Sequence, residues 1–217
     1  MKTNGAQLLV SLLEQHGTET VAGIPGGANL PVYDALAGSS IRHILCRHEQ
    51  AAGFIAQGIA RSTGKVGVFL VTSGPGATNA LTALADAKMD SVPIIMISGQ
   101  VPVSMIGTDA FQEMDTYGMT IPATKHNFLV RNASELPEII TEAYRVARDC
   151  RPGPVVIDLP KDVQKQIVDI DTEYTPAAET VCCDDFDTDA IGKITERINT
   201  AQRPVLYIGG GVILSGA

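Results

Sequence analysis

"VGVFLVTSGPGATNALTALADAKMDSVPIIMIS", residues 66–98, carries the repeating unit of this fold. Its ends, VGVFLVT (66–72) and SVPIIMIS (91–98), are nearly continuous apolar runs, and GATNALTALADAKM between them has a helical pattern. A strand with one wet face alternates apolar and polar residues, so a run with no polar side reads as a strand covered on both faces. Two such strands joined by a helix form a βαβ unit, which calls for a parallel sheet between helical layers.

The same alternation extends in both directions. Residues 4–16 read as a helix, with Leu8, Leu9, Leu12 and Leu13 at helical spacing and Gly17 as a stop. TVAGI, the turn cluster PGGAN, a short helix LPVYDAL and a strand IRHILC follow. HEQAAGFIAQGIARSTG is a further helix with Ala52, Ile55, Ala56 and Ile59 on one face, ending at Gly64. Downstream come the strand NFLV, a helix over about 134–148 and the strand PVVIDL at 154–159. The expectation is a three-layer α/β/α domain with a mainly parallel sheet over residues 1–163. Residues 164–185 lose periodicity and gain acids and threonine, which suggests a linker. A second α/β unit begins at 186 with a helix over about 187–200, a strand PVLYIG and the turn GGGVILSG. One helix and one strand cannot bury their own faces, so this unit is expected to be the start of a longer domain.

Composition narrows the functional classes. The net charge of −8 argues against a nucleic-acid surface. The longest apolar runs fall short of the 18 residues or so of a membrane span, and the N-terminus has no signal-peptide pattern. Cys46, Cys150, Cys182 and Cys183 form no C-x-x-C pair and no metal-like spacing with the four histidines. A cytoplasmic protein with no metal site of its own is expected.

Three glycine-rich turns follow predicted strands: GIPGGAN (23–29), TSGPGATN (72–79) and GGGVILSG (209–216). Such a turn entering a helix can cradle a phosphate through free N–H groups. The dinucleotide fingerprint fails, because Asn79 and Leu214 stand where its third glycine belongs. GIARSTGKV has one residue too many for a Walker loop, and Val66 replaces its Ser or Thr. On the glycines alone, tight strand-to-helix turns are the simpler reading. However, loops that follow the strands of one parallel sheet share one edge, where α/β domains place their ligands. GIPGG, TSGPGATN and the long loop GQVPVSMIGTDAFQEMD (99–115) are the candidates for that edge.

Five segments together resemble the thiamine diphosphate-dependent enzymes, and within them the catalytic large subunits of the acetolactate (acetohydroxyacid) synthase group. They are GIPGGANLPVYDAL, RHEQAAGFIAQGIAR, VTSGPGATNALTALADA, GQVPVSMIGTDAFQEMDTYG and RPGPVVIDLPKDVQ. The likeness runs over residues 5–165 and resumes at RPVLYIGGGVI (203–213). It implies a pyrimidine-binding domain over 1–163 and the start of the central, FAD-associated domain over 186–217. The family's third domain carries a G-D-G…N-N motif for Mg²⁺ and the diphosphate, and no GDG occurs in these 217 residues. The resemblance turns the TSGPGATN loop toward the aminopyrimidine end of the cofactor, and the phosphate reading gives way.

The resemblance also assigns residues. Glu49 of RHEQ would bond N1′ of the aminopyrimidine and favour the tautomer whose 4′ nitrogen removes the thiazolium C2 proton. From the bare sequence, Glu49 is equally a first-turn acid complementing the helix dipole. Thr72, Asn79 and Gln112 match positions beside the aminopyrimidine, Gln112 being a catalytic candidate with Glu49, and Phe111 and Gln112 match positions reaching a neighbouring subunit's site. Pro25, Gly26 and Gly27 match a loop near the reacting centre. Val101, Pro102, Ala110, Phe111 and Lys161 match a substrate channel. Arg151 matches an FAD-contacting arginine, and Gly209, Gly210 and Gly211 a turn beside the flavin. Cys150 departs from the pattern, since a glycine usually precedes RPGP. The implied activity joins pyruvate to a second pyruvate or to 2-oxobutanoate in branched-chain amino acid biosynthesis. The implied assembly is a homodimer or tetramer with a small regulatory subunit. The rivals are another enzyme on the same scaffold, such as a pyruvate oxidase, and a non-catalytic binding or assembly module.

Overall fold

The computed structural model describes residues 2–169 and 187–215. The strands are β1 Lys2–Asn4, β2 Thr20–Gly23, β3 Arg42–Leu45, β4 Gly67–Val71, β5 Ile94–Gln100, β6 His126–Leu129, β7 Val155–Pro160 and β8 Ile167–Asp169. The helices are α1 Gly5–Gln15, α2 Leu30–Leu36, α3 Glu49–Thr63, α4 Pro75–Asn79, α5 Leu81–Met89, α6 Thr116–Thr120, α7 Leu136–Arg148, α8 Lys161–Lys165, α9 Thr188–Thr200 and α10 Gly210–Leu214.

Six strands form one sheet in the order β3-β2-β4-β5-β7-β6, every neighbouring pair parallel. The doubly covered runs behave as their composition demands: all residues of β4, β5 and β7 are buried. Alternate residues feed two cores. Val68, Leu70, Ile95, Ile97, Val155 and Ile157 pack toward α1, α2 and α7. Phe69, Val71, Ile94, Met96 and Val156 pack toward α3, α4 and α5. The expected three-layer α/β/α architecture with a parallel sheet is what forms.

Local signals set the helix limits. Asn4 and Gln7 make a reciprocal capping box at the start of α1, and α3 ends where Gly64 turns left-handed at φ +72°. The buried stripe of α3 is small, namely Ala52, Gly53, Ala56 and Ala60, with Gln57, so the helix lies close on the sheet and on α5. A Cβ on Gly53 would come within 2.5 Å of the Ala83 Cβ.

Several details depart from the sequence reading. The helix expected across 76–89 is two helices: the Ala80 N–H reaches back to Ala77 O at 3.2 Å, a tightened turn that redirects the axis. The ordered fold also continues past residue 163, because β8 pairs antiparallel with β1 and clasps the two ends of the domain. The rest of the expected linker, with Cys182 and Cys183, lies outside the described residues.

The chain divides into two compact units, with the boundary between Thr180 and Val181. In the second unit, helix α9 forms as expected. The strand expected in PVLYIG does not, for a strand exists only through its ladder and no described residue pairs with this run. Val205 and Tyr207 are exposed.

Candidate functional site

Because the six strands are parallel, the turns after their C-terminal ends share one edge. Residues 24–29 follow β2, Glu49 follows β3, residues 72–79 follow β4, residues 101–115 follow β5 and Lys161 follows β7. The sheet thus brings together the three loops singled out from the sequence.

Glu49 opens α3 at the first helical position. His48 caps the helix, its Nδ1 accepting the Gln50 N–H at 3.1 Å. This fixes the start of the helix and points the half-buried Glu49 side chain across the edge. There the Asn79 amide donates to Glu49 Oε2 at 2.9 Å. A Cβ on Gly76 would stand 3.6 Å from Glu49 Oε1, so the first turn of α4 passes beside the same carboxyl.

Thr72 is wedged between two glycines. A Cβ on Gly26 would come within 2.6 Å of Thr72 Oγ1, and one on Gly76 within 2.8 Å of Thr72 Cγ2. Both must lack side chains for the loops after β2 and β4 to meet. The first loop closes on itself, with Asn29 Oδ1 accepting the Gly26 N–H at 2.8 Å. Pro25 and Gly27 lie exposed on its crest. Gly74, at φ +57°, is covered by the Gln112 backbone: a Cβ there would lie 2.6 Å from Gln112 O. That contact joins the loop after β5 to the loop after β4.

The loop of 101–115 begins with buried Val101 and half-buried Pro102 and carries half-buried Ala110. Phe111 is 88% exposed, so its ring is no part of the core formed by the described residues. Glu113 gathers the loop into a closed turn. Its carboxylate accepts the N–H groups of Gly107, Thr108 (3.2 Å) and Ala110 (2.9 Å), and these bonds hold its pKa below the usual range. Lys161 starts α8, half-buried.

Other predicted residues lie elsewhere. Arg151 precedes β7 and bonds Ser91 Oγ at 2.7 Å and Met89 O at 2.9 Å, at the opposite edge of the sheet. Gly209 and Gly210 belong to the second unit, and a Cβ on either would meet nothing within 4 Å among the described residues. Among the described residues no group of three or more His, Cys, Asp or Glu could hold a metal ion. No helix among them is long and apolar enough to cross a membrane.

Some polar residues at this edge escaped the sequence reading. Gln100 and Asp158 form a buried pair beneath the 101–115 loop, and the buried Gln164 Nε2 donates to Ala28 O at 2.7 Å. An acid inside the apolar run VVIDLP was the available signal for Asp158. Tyr33 Oη is buried with no hydrogen-bond partner among the described residues, 2.5 Å from where a Cβ on Gly23 would lie. Burial, then the neighbouring Cys46 and Glu49, push its pKa up. No spacing in the sequence announces this contact.

A parallel α/β domain with a glutamate presented beside a glycine-floored threonine matches a family. Residues 3–119, more than half of the chain, match the family described as "Thiamine pyrophosphate enzyme, N-terminal TPP binding domain". The chain belongs to that family. It is 59% identical over 211 residues to the acetolactate synthase isozyme 1 large subunit of Escherichia coli K12, covering 96% of this chain and 37% of that protein. It is 49% identical over 214 residues to the isozyme 2 large subunit of the same organism, covering 99% and 38%. The acetolactate synthase large subunit of Corynebacterium glutamicum is 48% identical over 220 residues, covering 100% and 35%. The chain therefore spans little more than a third of the length of these relatives.

Proposed function

We propose that this edge is the aminopyrimidine-binding half of a thiamine diphosphate site, and that the protein is an acetolactate synthase acting on pyruvate. The observation that carries the reading is the Glu49 carboxyl, oriented by Asn79 and set beside Thr72 on a floor of Gly26 and Gly76. These residues fit the group. A flat nitrogen heterocycle needs a floor without side chains and a carboxyl to pair with a ring nitrogen.

When bound, thiamine diphosphate supplies an acidic C–H whose conjugate base attacks a 2-keto acid and holds the electron pair released with CO₂. Glu49 holds a proton at the pyrimidine N1′, and Asn79 keeps that carboxyl aimed. The glycines at 26 and 27 let backbone approach where a side chain would collide. Gln112, placed over Gly74, and Thr72 border the ring. The channel side is formed by Val101, Pro102, Ala110, exposed Phe111 and Lys161. The second substrate is pyruvate or 2-oxobutanoate.

FAD is a further proposed cofactor, for which the resemblance marks Arg151 in the first unit and, separately, the turn at Gly209 and Gly210 in the second. Mg²⁺ is a cofactor of the whole reaction, although the described residues offer no ligand set for it. The relatives' "large subunit" names support a small regulatory partner, and the exposed Phe111 supports a second copy across the site. The cytoplasm is the proposed compartment. The test is product analysis on the full-length enzyme with pyruvate, thiamine diphosphate, Mg²⁺ and FAD. Acetolactate is expected; acetyl phosphate or acetate would replace the synthase reading by that of an oxidase. Cofactor binding without turnover would leave a binding module.

A further inference from the structure

Gln100 ends β5, and Asp158 lies on the adjacent β7, on the sheet face that also carries Met96 and Val156. Both side chains are almost wholly buried, at 1% and 3% exposure. The Gln100 carboxamide makes three bonds there. Its Oε1 accepts the Val101 N–H at 2.8 Å, and its Nε2 donates to Met114 O at 3.0 Å and to Asp158 Oδ2 at 3.0 Å. One amide thus ties the first residue of the site loop to the thirteen-residues-later end of the same loop.

A carboxamide can turn over by 180° with almost no change of shape. Turned over, it would set NH₂ against the Val101 N–H and oxygen against Met114 O, breaking both ties at once. The acceptor at Asp158 adds a third partner that only this orientation satisfies. We propose that Gln100 and Asp158 are positioning residues for the candidate site: Asp158 fixes the Gln100 amide, and the amide fixes both ends of the loop that presents Phe111 and Gln112.

The pair is costly to the fold, which argues for a use beyond packing. Asp158 Oδ1 has no partner among the described residues, and burial pushes the carboxyl up to about 7, with the Gln100 bond opposing the rise and Asp115 adding to it. Protonation at Oδ1 leaves Oδ2 an acceptor, so the clamp holds on either side of that value. Nothing comparable is needed to fill space, since leucine and methionine have similar volumes. Between its two ends the loop is held by Glu113 and by the Asp162 carboxylate, which accepts the Val103 N–H at 3.1 Å. Without the amide, those ties would hold the middle of the loop, and its exit at Met114 would keep only the local bonds that the Met114 carbonyl accepts from the Thr116 N–H at 2.7 Å and Thr116 Oγ1 at 3.4 Å.

The inference depends on the thiamine diphosphate reading only in calling this loop part of a cofactor site, so the test follows the loop with no cofactor present. Hydrogen–deuterium exchange is measured on the full chain for wild type, Gln100→Met, Asp158→Leu and Asp158→Asn, alongside thermal unfolding. Exchange over 101–115 should rise about tenfold in the Met and Leu variants, the worth of one or two hydrogen bonds. Exchange in β4 and β5 should stay put, with an unchanged or higher Tm. Asp158→Asn keeps an acceptor and should restore slow exchange. Unchanged loop exchange in the folded variants would overturn the proposal, as would loop and strand exchange rising in parallel. If Asp158→Leu does not fold, Gln100→Met decides; failure of both to fold assigns the pair to stability alone and also overturns it.

Discussion

Two glycine turns, TSGPGATN after β4 and GGGVILSG at 209–216, read alike in the sequence and differ in their surroundings. At the first, Gly74 takes φ +57° under the Gln112 backbone, and Gly76 lies against Thr72 and beside Glu49. At the second, a Cβ on Gly209, Gly210 or Gly211 would meet nothing within 4 Å among the described residues. Glycine in a turn permits close approach, and only what approaches gives it a role. The first turn is packed because strands on both sides bring other loops to the same edge. The second lies in a unit whose described apolar residues, including Val205 and Tyr207, are exposed.

That contrast can be broken by experiment. The largest effect should come from the carboxyl the first turn orients. On the proposed reading, Glu49→Gln in the full-length enzyme should lower turnover by about 10²–10⁴-fold, the range of a general acid–base contribution, with circular dichroism unchanged. Turnover near wild type would detach the turn from the chemistry. Next in size is Asp158, behind the same edge. Its carboxyl rises from an ordinary 3.8 to about 7, so the folded state binds this proton more tightly than the unfolded chain. Its contribution is therefore complete below about pH 4 and is lost as pH climbs toward 7, by on the order of 4 kcal/mol for three pH units. Denaturant titrations of wild type against Asp158→Asn across that window should show the wild type losing more stability; parallel curves would refute the burial.

A smaller effect tests the glycines themselves. Gly74→Ala should cost roughly 2–3 kcal/mol, because an L side chain is strained at that φ and would strike Gln112 O. Gly210→Ala should change stability by no more than about 0.5 kcal/mol, as for an exposed site free of such contacts. Equal costs at the two positions would erase the distinction between the turns.

Much of this molecule was determined by the sequence. Apolar runs such as VGVFLVT and SVPIIMIS specify doubly covered strands, because no polar face is left for water. Asn4 with Gln7, and Gly64, mark the ends of α1 and α3 through local hydrogen bonds and backbone freedom, which need no distant partner. The five motifs carried the family and the proposal for Glu49. Tertiary structure alone decided the rest. It set Asn79 on Glu49, Gln112 on Gly74 and Gln100 between Val101, Met114 and Asp158, contacts that join separate crossovers of the sheet. It also left PVLYIG without a strand, since a ladder requires a second chain segment that the run cannot specify by itself. Local patterns encode what a residue's own turn or strand will do. Which loops meet at an edge follows from strand order, β3-β2-β4-β5-β7-β6, and strand order is a property of the packed whole.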